Sequence, residues 1–411
     1  MRIRHALYLG TAAIALSLGL NGSTVPLSAQ PAPAAVAIDN DDIGGVVMGP
    51  KGPEAGVWVI AETNELPTKY AKMVVTDDQG RYVIPDLPRN VNYDVWVRGY
   101  GLVDSIKVRA KPGQRLNMTA VAAPDEKSAA HYYPAIYWYT MMQIPPASAF
   151  GGSTDIPPNV TQEIWRQRMN NVDCVGCHQL GQESTRTIPA ALGEFKTHAD
   201  AWVRRIQSGQ SGEQMTQRIA GQMGGVPYKY FGDWTERAAK GELPKHKPPR
   251  PQGVERNVVV TSWEWSTPDK YLHDLISSDR RNPTVNANGP LYGSPEYATD
   301  NMPILDPKTH KVTFFRMPVA DPKMPESLGP GHAAAINPIQ PSPYWGNEKL
   351  WDTRANNHNA MFGKDGRVWI TASVRGRNNP DFCKKGSSHP SAQVFPSNNR
   401  RARWRCSIRR R

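Results

Sequence analysis

Cysteine is scarce in this chain. Of 411 residues four are cysteines, at 174, 177, 383 and 406. A structural zinc site on the first pair would need a second pair of Cys or His ligands, and the distant Cys383 and Cys406 do not supply one. A dithiol redox motif belongs in a βαβ setting and leaves the histidine at 178 without a role.

Long apolar runs are also missing. The one pronounced run, Ala6 to Leu20, is shorter than the ~20 residues that a membrane span needs. It follows Arg2, Arg4 and His5 and leads to small residues at Ser28-Ala29. Residues 1–30 therefore read as a secretory signal peptide. The mature chain is expected to be periplasmic or otherwise exported, soluble and without a transmembrane segment; an uncleaved anchor is the alternative.

Acid is absent from both ends. The net charge is +12, but nine of the positive charges are Arg2, Arg4 and seven arginines between Arg400 and Arg411. The basicity is terminal, and no nucleic-acid partner is inferred from it. With 39% hydrophobic residues, 37 prolines and 34 glycines, the chain is globular and loop-rich, and long enough for several domains.

What is present is Cys174-Val175-Gly176-Cys177-His178. Cys-x-x-Cys-His is the attachment pattern of a c-type haem: two thiols three residues apart add to the porphyrin, and the histidine ligates iron. A helix from Cys174 would put both sulfurs on one face with His178 beside them. Helical periodicity at 161–170, 199–207 and 231–240, with Trp165, Trp202 and Ile206 inward, frames an all-α haem domain over 156–245. For the second axial ligand Met215 is preferred and Met223 is the alternative, with His198, His246 or an open position behind them.

Residues 40–122 alternate in short strands separated by turns such as Asp77-Asp78-Gln79-Gly80, the pattern of a small β-sandwich. Gly45-Val46-Val47, Gly52-Pro53-Glu54-Ala55-Gly56-Val57 and Thr76 to Pro88 resemble the carboxypeptidase regulatory-like, transthyretin-like module. That resemblance implies a non-catalytic spacer or docking unit. A connector over 123–155 carries Tyr132, Tyr133, Tyr137, Trp138 and Tyr139, which are expected to pack between neighbouring domains.

After a basic proline-rich linker, residues 255–387 return to strands, beginning with 257–263 and including one at 349–351. Leu305-Asp306-Pro307-Lys308-Thr309 and Lys364-Asp365-Gly366-Arg367-Val368-Trp369-Ile370-Thr371 resemble the blade signatures of streptogramin-lyase-like β-propellers. His273 with Asp274, His332, and His358 with Asn357 are the polar candidates on this part. No catalytic residue is assigned.

The fold class is thus multidomain: β-sandwich, all-α cytochrome c and partial all-β propeller. The domain order resembles bacterial carboxypeptidase regulatory-like proteins with a cytochrome and a propeller. The haem motif leads to the expectation of one-electron transfer with haem c as cofactor and a periplasmic redox protein as partner. The alternatives are a haem-linked dehydrogenase, hence an oxidoreductase; a propeller lyase or hydrolase with an accessory cytochrome; and a non-catalytic binding or scaffold protein.

The stretch 388–411 stands apart as a basic tail with neither acid nor period. A closed propeller needs at least four blades of ~40–45 residues, and the chain from 255 onward holds about three and a half. Residues 388–411 are accordingly read as frame-shifted or prematurely ended, the alternative being a native tail for anionic lipid or acidic partners. Sequencing the locus is expected to reveal further Asp-x-x-Gly strand repeats in another frame past the Ser388 codon; noncoding sequence in every frame refutes the reading.

Overall fold

The computed structural model describes residues 36–152, 154–207, 212–267, 272–319, 351–373, 381–394 and 403–408. The expected signal peptide, the loop 208–211 and His332 lie outside the described residues.

The alternating residues after position 40 form β1 (Ile43–Gly49), β2 (Gly52–Pro53), β3 (Trp58–Thr63), β4 (Lys69–Val75), β5 (Arg81–Ile84), β6 (Tyr93–Arg98), β7 (Leu102–Val103), β8 (Val108–Ala110), β9 (Gln114–Arg115), β10 (Met118–Thr119) and β11 (Val121–Ala122). Strand β4 shows the period of two directly, burying Tyr70, Lys72 and Val74. Lys72 is tolerated inside because its ammonium donates to the carbonyls of Pro85 at 2.7 Å and Asp86 at 2.9 Å. One sheet gathers β2, β5, β9 and β10 around β1, and the other includes β4, β3, β6 and β8. Their facing sides close over Ile43, Val47, Val59, Tyr82, Ile84 and Tyr93. The tight turn into β5 needs glycine: Gly80 has φ +71°, and a Cβ there would lie 2.5 Å from the Val47 carbonyl oxygen.

The second sheet continues with a strand from far along the chain. β12 (Val260–Glu264) pairs antiparallel with β4, from Val260 opposite Met73 to Glu264 opposite Lys69. This corrects the expectation that 257–263 opens the propeller-like region. Strand periodicity shows that a segment is extended but not which edge it joins, and β4 would otherwise present an unpaired row of backbone groups. The linker is docked on the way. Arg250 reaches the Glu54 carboxylate at 2.5 Å and the Tyr100 carbonyl at 3.0 Å, and Lys247 pairs with Glu126 at 2.7 Å.

Between β11 and β12 the described residues form helices and turns only. They include α1 (Glu126–Ala130), α2 (Ala135–Tyr139), α3 (Gln162–Arg166), α4 (Asp173–Cys177), α5 (Glu183–Arg186), α6 (His198–Gln207), α7 (Gly212–Thr216) and α8 (Pro227–Ala239). Thr161 caps α3, its hydroxyl accepting from the Ile164 N–H at 3.1 Å. Helix α8 starts earlier than its apolar period suggested, because Pro227 is favourable in a first turn. Wide π turns at Gln167–Asn171 and Gln217–Gly221 follow α3 and α7.

The inward residues inferred from periodicity, Trp165, Trp202 and Ile206, are buried. The connector shares their core. Trp234, fully buried, donates its indole N–H to the Trp138 carbonyl at 2.9 Å, and Trp138 donates to the Ala130 carbonyl at 3.0 Å. Tyr139 meets Trp234 edge-on at 5.7 Å. The aromatic connector also reaches the sandwich, since Tyr133 meets Tyr100 at 6.2 Å and Tyr100 meets Trp58 at 5.0 Å.

Two antiparallel meanders follow. β13 (Asp274–Ile276), β14 (Leu291–Ser294), β15 (Asn301–Asp306) and β16 (Lys311–Arg316) form one; β17 (His358–Phe362), β18 (Val368–Ser373) and β19 (Arg403–Ile408) form the other. They share a core of Tyr292, Met302, Phe362, Val368 and Ile370. Neither closes into a barrel among the described residues. Trp351, expected in a strand, lies in a loop. The stretch read as a tail without period contains β19, paired with β18 from Ser373↔Arg403 to Val368↔Ile408. Its run Arg-Trp-Arg-Cys-Ser-Ile does alternate, over too few residues to stand out from the surrounding arginines.

Truncating Trp234 to alanine should remove about 3–5 kcal/mol from the helical core. A lower urea midpoint in helical circular dichroism would show it, and an unchanged midpoint would refute the central place given to this side chain.

Candidate functional site

The Cys-x-x-Cys-His motif sits at the surface of the aromatic core. Arg168 on the first π turn holds Asp173, the first residue of α4, through a 2.6 Å ion pair. The helix is short and ends at Cys177, which corrects the expectation that it would carry His178 as well; the His178 backbone is extended, with φ −122° and ψ 136°. The His178 N–H still bonds to the Cys174 carbonyl at 3.0 Å. Cys174 is half-buried against the helical core. Among the described residues a Cβ on Gly176 would meet nothing within 4 Å, so none of them crowds that side of the helix.

Desolvation by the surrounding protein, then the nearby Arg205 charge, lowers the pKa of His178. The residue as a whole is exposed, which we take to keep this effect small. The direction favours neutral imidazole, the form that ligates metals. Met215 is half-buried on α7 against the helical core, whereas Met223 is 2% exposed within it. His198 is already bonded through Nδ1 to the Thr235 hydroxyl at 2.9 Å.

A second constellation forms on the meanders, from residues well separated in sequence. His273 and Asp274 stand at the start of β13, His358 at the start of β17, and Glu296 just beyond β14. His358 Nδ1 lies 2.8 Å from Asp274 Oδ1 and 3.1 Å from Glu296 Oε2. His273 Nδ1 lies 3.4 Å and 3.5 Å from the same two oxygens. The imidazole rings meet edge-on at 4.8 Å.

The two acids feel this setting in opposite senses. Burial would raise Asp274, but hydrogen bonds from His273 and His358 outweigh it and hold the carboxyl well below the usual range. Burial raises Glu296, which is 5% exposed, and the histidines oppose that only in part.

The loops around the cluster are rigidly specified. Asp300 accepts at 2.8 Å from the Thr353 hydroxyl and from the N–H groups of Arg354 and Ala355, fixing the approach to β17. Tyr297, at φ +66°, is held by its N–H to Asn356 Oδ1 at 2.8 Å. Its ring stands edge-on to His273 at 6.0 Å, and its hydroxyl bonds Gln214 Oε1 on α7 at 3.1 Å. The cluster is thus tied by one tyrosine to the helix that carries Met215.

The structure therefore joins three of the histidine-region candidates, His273, Asp274 and His358, and puts Asn357 next to them in a fully buried position. Sequence reasoning missed Glu296 and Tyr297. Their only local signal is an acid and an aromatic following the small residues Gly293-Ser294-Pro295. No family model and no curated protein matches the chain.

A double-mutant cycle of Tyr297→Phe and Gln214→Ala should yield a coupling of about 0.5–1.5 kcal/mol in unfolding free energy. Additive effects would show that the bond contributes nothing to joining the two parts.

Proposed function

We propose that the chain is an exported c-type cytochrome that carries single electrons to or from a periplasmic redox protein. The observation that supports this best is Cys174-Val175-Gly176-Cys177-His178, with both cysteines on α4 and the histidine leaving the helix at its end. The donor set suits haem c: a half-exposed thiol at Cys174, a second three residues on, and an imidazole without a hydrogen-bond partner on its ring among the described residues. The side of the helix at Gly176, which no described residue crowds, suits it as well.

In this reading Cys174 and Cys177 hold the porphyrin covalently and His178 ligates its iron. Haem would supply a one-electron couple whose potential a methionine ligand raises. Met215 is the preferred sixth ligand, because Met223 fills the core as an ordinary buried side chain would. The sandwich, similar to the transthyretin-like module, serves as a spacer or docking unit, and the signal-like start accounts for export.

A second reading is favoured by one observation. The His273–Asp274–Glu296–His358 cluster is bonded through Tyr297 to α7, as a haem-linked dehydrogenase would require of a substrate site feeding electrons to the helical part. The propeller-like architecture remains a proposal resting on the two meanders and their Asp-containing turns. In those turns Asp306 Oδ1 accepts from the Lys308 N–H at 2.9 Å and Gly366 has φ +76°.

After export-competent expression, acid–acetone extraction should leave haem with the protein, and a pyridine haemochrome spectrum should show thioether-linked haem. Haem that leaves with the solvent refutes covalent attachment. Met215→Ala should abolish the weak long-wavelength band of ferric methionine ligation while Met223→Ala leaves it; the reverse result moves the ligand to Met223.

A further inference from the structure

We propose that His273, Asp274, Glu296 and His358 form a binding site for one divalent transition-metal ion of the zinc or manganese class. The argument starts from the chemistry of the donors. Imidazole nitrogens and carboxylate oxygens in one cluster suit divalent zinc, manganese or iron, whereas calcium and magnesium favour all-oxygen shells. The ligand atoms of His273, Asp274 and His358 all lie within 4.8 Å of one another. Glu296 Oε2 adds a fourth, at 3.1 Å and 3.5 Å from the two histidine nitrogens.

The spacing also fits. With metal–ligand bonds of ~2.0–2.2 Å, neighbouring ligand atoms are separated by roughly 3.0 Å in an octahedral shell and about 3.4 Å in a tetrahedral one. The four nitrogen–oxygen separations here run from 2.8 to 3.5 Å. Small adjustments would turn these direct contacts into a coordination shell.

Two further observations point to an additional occupant. Ser294 is directly opposite Asp274 in the β13–β14 ladder, so the two side chains share a face of the sheet. Ser294 is fully buried and its hydroxyl has no hydrogen-bond partner among the described residues. Asn357, next to His358, is also fully buried, and neither its amide nitrogen nor its amide oxygen has a partner among them. Native proteins rarely leave such groups unsatisfied, and water bound to an ion would supply the partner missing from Ser294, on the same sheet face as Asp274. The site lies on strands held by backbone ladders and by the Asp300 clasp, so little ordering is needed on binding.

The test uses the full chain with its cofactor attached, stripped with a chelator and titrated calorimetrically with Zn²⁺ and Mn²⁺, with Ca²⁺ and Mg²⁺ as comparators. One Zn²⁺ should bind per chain and raise the melting temperature, while Ca²⁺ leaves it unchanged. His273→Ala combined with His358→Ala should weaken Zn²⁺ binding by roughly 100-fold or more. Asp274→Asn, nearly identical in shape, should weaken it as well and guards against a variant that fails to fold. Zinc-edge X-ray absorption should show nitrogen and oxygen neighbours with imidazole scattering. Failure to take up zinc, uptake unaffected by these substitutions, or sulfur in the zinc shell overturns the proposal. None of the four ligands belongs to the Cys174–His178 motif, so the outcome is independent of whether that motif carries haem.

Discussion

The helix that carries Cys174 and Cys177 is five residues long, and a helix that short has no stability of its own in water. The same holds for α7, which carries Met215. Both elements exist only because an aromatic core beneath them is dense enough to fix their ends. Trp165, Trp202, Trp234 and Phe231 supply that density, with Trp202 and Phe231 stacked at 4.6 Å. The π turns next to these two helices are the local adjustment that this packing imposes, and such turns are frequent at functional sites. The cytochrome reading therefore depends on the connector as much as on the motif, since Trp138 and Tyr139 complete the core.

The sandwich plays a related part at the other end of the helical unit. Its second sheet accepts β12, and the chain arrives there by a route pinned through Arg250 to Glu54 and the Tyr100 carbonyl. An ion pair of this kind, mostly shielded from solvent, is held more firmly than a surface pair because Arg250 Nε also donates to the Tyr100 carbonyl and Nη1 to that of Ala55. Trp263 on β12 then bonds His310 at 3.0 Å in the turn between β15 and β16. The first meander is in this way attached to the sandwich as well as, through Tyr297, to the helices.

These attachments bear on function. If single electrons move through the helical unit, the histidine–carboxylate cluster has a hydrogen-bonded connection to α7 through Tyr297. A metal there would make the meanders more than a scaffold. The two histidines and two carboxylates of this cluster meet at the beginnings of β13 and β17 and just beyond β14.

Some of this was written plainly in the sequence. Cys-x-x-Cys-His carries the haem proposal by spacing alone, since its residues are neighbours in the chain. The period-two burial of β4 and the inward faces of α3 and α6 followed from local patterns, because burial of an amphipathic element repeats with its own geometry. What remained hidden was every decision about partners. Nothing in Val260–Glu264 says that it joins β4, nothing in 403–408 says that it extends β18, and His178 leaves its helix because of where α4 ends. The cluster shows the limit best. His273, Asp274 and His358 could be suspected singly, but Glu296 carries no motif, and their meeting depends on two meanders packing together. Local pattern determines what an element is, whereas only tertiary packing decides which side chains become neighbours, because those contacts join residues that sequence spacing does not relate.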